Sequence, residues 1–140
     1  MIKYILRNKG DLMKAKIIML GTGNGGTVEL YNTCFVIQNN LGNFLVDTGG
    51  SIELIKRLRQ VNIDYKEIKH IFISHSHSDH ILGLFWYFKE ISGPIMSGEL
   101  NEKINIYCND AVYEAIKHIS EYIWPSKLTE AVYKVLNFII

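Results

Sequence analysis

The chain has 140 residues, which suits one ordinary domain and leaves little room for a second independent hydrophobic core. Hydrophobic residues make up 48% and charged residues 21% of the sequence, a composition that excludes a disordered protein. The formal net charge of +1 excludes the strongly basic surface that a general nucleic-acid-binding protein carries. A polyanionic substrate would therefore have to be held by local charge or by a bound metal ion.

The predicted compartment follows from the cysteines and from the apolar runs. Cys34 and Cys108 are the only cysteines, and both lie in apolar, strand-like runs, so we expect buried thiols in a reducing compartment. No apolar run approaches the ~20 residues that cross a bilayer, and residues 1–11 lack the long apolar centre of a secretory signal. The sequence predicts a cytoplasmic protein that does not act at a membrane.

Hydrophobic periodicity predicts an α/β domain. Residues 1–12 are expected to be a flexible extension, because Met13 directly precedes the first clear strand pattern; residues 13–140 then form part of one domain. Apolar and β-branched runs predict strands at 16–20, 32–38, 43–47, 70–74 and 104–108. Apolar stripes and helix-terminating residues predict helices at 51–61, 81–91 (ended by Gly93-Pro94), 110–123 and 128–140, with a single helical turn after Asp64.

A loop rich in glycine follows the first predicted strand and permits two interpretations. Gly21-x-Gly23-x-x-Gly26, with Asp47 about 20 residues further on, fits the fingerprint of a dinucleotide-binding domain. That fingerprint requires a helix after the glycines, whereas residues 27–43 favour a β-hairpin. The dinucleotide hypothesis also leaves the histidines described next without a role, so it is the less favoured alternative.

Residues 75–80 (the histidine cluster) contain three histidines and one aspartate that could bind metal ions. They follow the apolar strand Ile71-Phe72-Ile73 directly. In an extended segment, residues two apart point to the same side, so His75 and His77 can converge on one metal ion. Asp79 and His80 can face a second ion as the loop turns into a helix. Imidazole nitrogen and carboxylate oxygen both suit Zn²⁺. A polar surface loop is the alternative, but so many charged and polar groups beside a core are costly unless something satisfies them.

These residues resemble the H-x-H-x-D-H-x-x-G signature of the metallo-β-lactamase superfamily, matched from His75 to Gly83. Leu20-Gly21-Thr22-Gly23 and Leu45-Val46-Asp47-Thr48-Gly49-Gly50 are similar to the glycine loop and first aspartate motif of its ribonuclease Z and phosphodiesterase branch. The resemblance implies an αββα sandwich, here apparently truncated to its first half, with a mixed sheet and flanking helices. It also implies a hydrolase that uses a metal-bound hydroxide, with phosphodiester bonds as the leading substrate class and RNA as one candidate substrate.

The resemblance assigns roles to individual residues. His75 and His77 would hold one metal ion, while Asp79 and His80 would hold the other, with Asp79 also acting as the catalytic proton acceptor. Asp47 would brace the histidine cluster without binding metal directly; an aspartate that merely ends a strand is the alternative for this position. The implied cofactor is zinc, two ions per complete site, with manganese or iron as other choices.

The sequence departs from the superfamily pattern beyond the histidine cluster. A third histidine, a bridging aspartate and a final histidine are expected further along, but only His118 follows His80, and it lies in an amphipathic helix typical of a surface histidine. Each metal would have two protein ligands, whereas a catalytic zinc needs three. A non-catalytic fragment or half-domain is therefore the main alternative to an active hydrolase, and a homodimer is one source of the missing ligands.

Overall fold

The computed structural model describes residues 2–8 and 11–140, with side chains from residue 15 onward. In these residues one mixed sheet contains seven strands in chain order: β1 (Ile2–Asn8), β2 (Asp11–Gly21), β3 (Cys34–Asn39), β4 (Gly42–Val46), β5 (Ile68–Phe72), β6 (Ile104–Tyr107) and β7 (Leu136–Ile139). Neighbours from β1 to β4 are antiparallel, and those from β4 to β7 are parallel. The helices are α1 (Glu53–Gln60), α2 (Ser78–Met96), α3 (Asp110–Ile123) and α4 (Ser126–Tyr133), with a 3₁₀ turn at Tyr65–Glu67.

The hydrophobic core lies between one face of the sheet and the helices. Alternate strand residues point to this face, and Val36, Leu45, Ile71 and Ile106 are fully buried there in neighbouring strands. The predicted apolar stripe of α1 packs onto the buried face of the sheet through Leu54 and Leu58. Val61, which follows the helix, is partly buried against the core. Helices joining parallel strands cover a sheet in this way because the crossover places them on its face.

The opposite face of the sheet is open in the described residues. The alternating positions form cross-strand rows, Phe44–His70–Asn105 and Phe72–Tyr107–Ile139, in which every residue is half-buried or exposed. Phe72 and Ile139 are each 40% exposed. One sheet of a sandwich fold leaves such a face open when its partner sheet is not beside it. The continuous apolar run Ile71-Phe72-Ile73 predicts a fully buried strand, and this was wrong for Phe72. Ile71 and Ile73 are buried, whereas Phe72 lies on the open face.

The parallel strands determine where functional residues meet. The carboxyl ends of β4 and β5 are adjacent, since Val46 pairs with Phe72. The segment after β4 (residues 47–52, the aspartate loop) and the histidine cluster after β5 therefore share one edge of the sheet. This is where parallel α/β sheets place ligand-binding loops.

The predicted elements near the termini need correction. Strand β2 is longer than predicted, and β1 lies inside the predicted extension, where it pairs with β2 from Ile2↔Ile17 to Asn8↔Asp11. The domain boundary after residue 12 stays a prediction. The helix predicted at 128–140 was wrong in its second half, because the chain leaves α4 and adds β7 beside β6, with Leu136 paired to Ile104. Such parallel pairing is a tertiary contact that local periodicity does not reveal.

Helix α2 differs from its prediction at both ends. It starts at Ser78, so Asp79 and His80 lie in its first turn, and it continues through Pro94 to Met96. A residue before proline normally avoids helical geometry because its Cβ meets the proline ring, but Gly93 has no Cβ. Its aromatic run packs in the core at Phe85, Tyr87 and Phe88, whereas Trp86 is exposed.

Two further expectations concern the cysteines and membrane spans. Both thiols are buried and free, as predicted. Within the described residues, the longest helices are too short or too polar to traverse a lipid bilayer.

Candidate metal centre

The histidine cluster adopts two local conformations in succession. Residues 73–77 continue away from β5 without regular structure, and His77 has the extended backbone of a helix N-cap (φ −65°, ψ 147°). The main-chain oxygen of His77 then accepts hydrogen bonds from the amides of His80 and Ile81. The extended part presents His75 and His77, and the first helical turn presents Asp79 and His80.

The structure brings these four side chains together. The ring centroids of His75 and His77 are 4.6 Å apart, and those of His75 and His80 are 4.1 Å apart. His80 Nε2 lies 3.3 Å from Asp79 Oδ2. His77 is exposed while the other three are partly buried, so the group opens to solvent on one side.

Asp47 is buried beneath the four cluster side chains and connects Ser74 to His80. Its carboxylate accepts hydrogen bonds from the Ser74 amide (2.8 Å), the Ser74 hydroxyl (2.7 Å) and His80 Nδ1 (2.8 Å). The last contact places the proton of a neutral His80 on Nδ1 and leaves the lone pair on Nε2, the nitrogen on the Asp79 side of the ring. Asp47 also has φ of +54°, a left-handed conformation that a non-glycine residue adopts at some energetic cost.

Hydrogen bonds hold the aspartate loop against the start of α2. The amide and the hydroxyl of Thr48 both donate to the main-chain oxygen of His80, at 2.9 and 2.7 Å. The amide of Gly83 donates to Gly49 O at 2.8 Å, and a Cβ at Gly83 would stand 1.9 Å from Thr48 O. The last position of the H-x-H-x-D-H-x-x-G signature is therefore a close backbone contact. Thr48 was missed by sequence analysis, since its only signal is its place after Asp47.

Tyr31 supports the same loop from the other side and was also missed. Its buried hydroxyl lies 2.8 Å from Thr48 O and 2.9 Å from Ser51 O. Its ring packs so closely on Gly49, where φ is +67°, that a Cβ there would lie 2.4 Å from the ring. The Ser51 hydroxyl, one residue before the N-cap of α1 at Ile52, accepts from the Glu53 amide. No local sequence pattern connects Tyr31 to residues 48–51.

The types of side chain in the cluster fit zinc, although their arrangement is not that of a complete metal site. Three imidazoles and one carboxylate are ordinary zinc ligands, and Asp47 on Nδ1 of His80 is the partner that a ligating histidine usually has. In residues 15–140, however, no three His, Cys, Asp or Glu side chains are arranged as a group that could hold a metal ion. Asp79 and His80 contact each other, so binding would require them to separate around an ion.

The structure also decides the hypotheses about His118 and about the loop rich in glycine. His118 is exposed on α3, where its Nδ1 contacts Glu114 O, so it is a surface histidine as predicted. Gly21 to Gly26 (the glycine loop) leads to strand β3, and residues 22–33 contain no helix. The dinucleotide-binding alternative was therefore wrong.

Comparisons with known proteins converge on one superfamily. A family model for the anti-Pycsar protein Apyc1 matches residues 15–132. Ribonuclease Z of Nanoarchaeum equitans is 29% identical over 104 residues, which are 74% of this chain and 31% of that protein. The anti-Pycsar protein Apyc1 of Bacillus phage BSP38 is 36% identical over 74 residues, 52% of this chain and 28% of that protein. The metallo-β-lactamase fold protein YhfI of Bacillus subtilis superposes with a TM-score of 0.66 and 18% identity, over 89% of this chain and 46% of YhfI.

These likenesses confirm the resemblance to the metallo-β-lactamase superfamily and to ribonuclease Z, and the likeness to YhfI confirms the fold class. The chain spans about a third of the length of the two curated relatives and about half of YhfI.

Proposed function

Because the chain belongs to the family of the anti-Pycsar protein Apyc1, we propose that it carries one half of a metal-dependent hydrolase site for phosphodiester bonds. RNA is one candidate substrate, since ribonuclease Z is among the relatives. Thioester, lactone or lactam bonds are less favoured, because the matching family model and the sequence relatives are Apyc1 and ribonuclease Z, whereas an N-acyl homoserine lactone lactonase of 20% identity shares only the fold.

The residues assigned to the metal ions are those of the histidine cluster. We assign His75 and His77 to one ion, and Asp79 with His80 to the other, with zinc as the expected metal and manganese or iron as substitutes. When bound, such ions would neutralise charge on the phosphoryl oxygens and lower the pKa of the attacking water. The open, solvent-facing side at His77 is where a phosphodiester would approach.

The remaining chemistry belongs to the protein. Asp79 would accept the proton that the attacking water loses, because its partly buried carboxylate lies within the cluster that holds the ions. Asp47 holds His80 in the orientation and tautomer that keep Nε2 free. Thr48 fixes the first turn of α2 through His80 O, so both ligands of that turn move as one unit.

One observation carries the proposal: the hydrogen bond of 2.8 Å between His80 Nδ1 and the buried carboxylate of Asp47. A histidine that only filled space would not need a buried carboxylate at Nδ1 while its Nε2 lies 3.3 Å from a second carboxylate and its ring packs against another imidazole. This arrangement is typical of metal-ligating histidines, whose second nitrogen is almost always held by such a partner.

The second candidate is a half-domain without activity of its own. It is favoured by the lack of any three-ligand group in residues 15–140, since two ligands do not fix the geometry of a catalytic zinc. A second copy of the chain could supply further donors in a homodimer. The two candidates agree on metal binding and differ in turnover.

Chelator competition with Zn²⁺ tests metal binding, and hydrolysis of bis-p-nitrophenyl phosphate tests turnover. We expect weak zinc binding and a rate barely above background for the 140-residue chain. His77→Ala and Asp79→Ala should each weaken binding about 10-fold or more. His118→Ala removes an exposed histidine and should change nothing. Equal affinity for all four proteins would refute the proposed site, and robust turnover would exclude the inactive half-domain.

A further inference from the structure

Asp79 lies between two glycines from different loops. On one side is Gly25 of the glycine loop, where a Cβ would lie 2.9 Å from Asp79 Oδ2 and 3.0 Å from its Cγ. On the other side is Gly50 of the aspartate loop, where a Cβ would lie 3.6 Å from the Asp79 Cα and 3.5 Å from Ser78 O. The absence of a side chain at Gly25 allows the glycine loop to approach the Asp79 carboxylate closely, while Gly50 lies at ordinary contact distance from the main chain of residues 78 and 79. The two loops together form a seat around Asp79.

A single side chain joins the two halves of this seat. Asn32 Nδ2 donates to Asn24 O, at 3.1 Å, immediately before Gly25. Asn32 Oδ1 accepts from the amide of Gly50, also at 3.1 Å. A carboxamide provides one donor and one acceptor in a planar fork, which is what these two partners require.

Asn32 is itself held firmly by the backbone around it. Gly23 donates to Tyr31 O and accepts from the Thr33 amide, both at 2.8 Å, so residues 31–33 pair with the glycine loop on either side of Asn32. A Cβ at Gly21 would lie 2.1 Å from Asn32 O. The side chain therefore extends from an anchored point, and its two hydrogen bonds hold the loops relative to each other.

We propose that Asn32 is a positioning residue that connects the glycine loop to the aspartate loop and so holds the carboxylate of Asp79 in place. The seat itself requires no metal ion. The consequence for metal affinity rests on the proposed function, since it takes Asp79 as a ligand.

The test uses the full 140-residue chain and two substitutions of Asn32. Asn32→Leu keeps the approximate shape but removes both hydrogen bonds. Asn32→Asp keeps the acceptor for Gly50 and loses the donor to Asn24 O. Asn101→Leu is the matched control, because Asn101 also donates to a main-chain oxygen (Gly98 O, 2.7 Å) but lies after α2, outside the site.

The first measurement is made by NMR without metal. We expect Asn32→Leu to change the Asp79 ¹³Cγ chemical shift and to speed hydrogen exchange at the Gly50 amide. Asn32→Asp should change the Asp79 shift while keeping more of the Gly50 protection, and Asn101→Leu should change neither. An unchanged Asp79 shift and unchanged Gly50 exchange in Asn32→Leu would overturn the inference, whatever the protein does with metals.

The second measurement is a double-mutant cycle on Zn²⁺ affinity. Asn32→Leu should weaken binding about 10-fold in the wild-type background and have almost no effect in Asp79→Ala, because the residue to be positioned is gone. An equal loss in both backgrounds would show a general structural role and overturn the inference. Absence of zinc binding in the wild type would refute the proposed function alone, because the metal-free NMR result decides the role of Asn32 independently.

Discussion

The carboxylate of Asp47 accepts a hydrogen bond of 2.8 Å from Nδ1 of His80, and the same carboxylate oxygen accepts the Ser74 hydroxyl at 2.7 Å. One buried group thus determines both the orientation and the tautomer of a histidine 33 positions further along the chain. Asp47 makes these contacts from a left-handed backbone, with φ of +54°.

Asp47→Asn removes the charge of this side chain and one of its two acceptor oxygens while keeping its size. The amide can accept from the Ser74 backbone, but its NH₂ group faces His80 Nδ1 and favours the tautomer with the proton on Nε2. We expect zinc affinity to fall about 10–100-fold while the free energy of unfolding changes by about 1 kcal/mol or less. ¹⁵N spectra of the imidazole rings report the tautomer, and chelator competition reports the affinity.

Asp47→Ala is the companion variant, and it should also lower the free energy of unfolding. It leaves the Ser74 amide and His80 Nδ1 without their partner and places alanine in the left-handed region, so a loss of about 2–3 kcal/mol is expected in urea unfolding. An unchanged His80 tautomer in Asp47→Asn, together with unchanged metal affinity, would contradict the role assigned to Asp47.

Gly83→Ala should destabilise the protein strongly. The added Cβ would lie 1.9 Å from Thr48 O, which is backbone and cannot rotate away, so the aspartate loop must separate from α2. We expect a loss of about 3 kcal/mol, measured by urea unfolding. Gly26→Ala, at an exposed position, is the control: the nearest described atom to its Cβ is Asn24 Oδ1, at an ordinary contact distance of 3.7 Å, and it should stay within about 1 kcal/mol of wild type. Equal effects of the two substitutions would show that the Gly83 contact carries no strain.

Tyr31→Phe tests the support of the aspartate loop by a hydroxyl group. The ring keeps its packing on Gly49, while Thr48 O and Ser51 O lose a buried donor. The free energy of unfolding should fall by about 1–2 kcal/mol. Tyr122→Phe removes the hydroxyl of a tyrosine that is 87% exposed, and should change stability by less than about 0.5 kcal/mol. The prediction fails if both variants unfold at the same denaturant concentration as wild type.

Alkaline pH should destabilise the fold through Cys34. Burial, and to a lesser degree the charge of Asp47, raises the pKa of this thiol from its ordinary value of 9.0 to about 12. The folded state therefore favours the neutral thiol. This stability is fully present below pH 9 and is lost as pH rises from 9 towards 12, by at most about 1.4 kcal/mol per pH unit. Burial raises the pKa of Tyr31 and Tyr87 as well, with the same sign.

Urea unfolding at pH 7, 9 and 10.5 measures this slope. Cys34→Ala should unfold more easily at pH 7, because a buried side chain is truncated, but should lose less stability between pH 9 and 10.5. Cys108→Ala is the comparison, since the pKa of the Cys108 thiol is raised while the residue is less deeply buried. Identical slopes in wild type and Cys34→Ala would show that this thiol does not titrate in the unfolding reaction.

The sequence alone determined the order of the main elements and the composition of the candidate site. The spacing from His75 to His80 after an apolar strand, and the glycine-bounded segments around Asp47, are local signals that act over a few residues. Strand β3 to β6 and helices α1 to α3 were predicted because alternation and helical periodicity are also local. The assignment of the four cluster residues to metal ions stays a prediction.

Only the tertiary structure decided which distant groups support that cluster. Tyr31, Asn32 and Thr48 contact the site through hydrogen bonds between segments that are 17 to 32 positions apart, and no periodicity encodes such contacts. Strand β7 likewise exists because it pairs with β6, although its residues also fit a helical pattern. Long-range pairing and close backbone packing depend on where the whole sheet places each loop, and for this reason local sequence rules could not predict them.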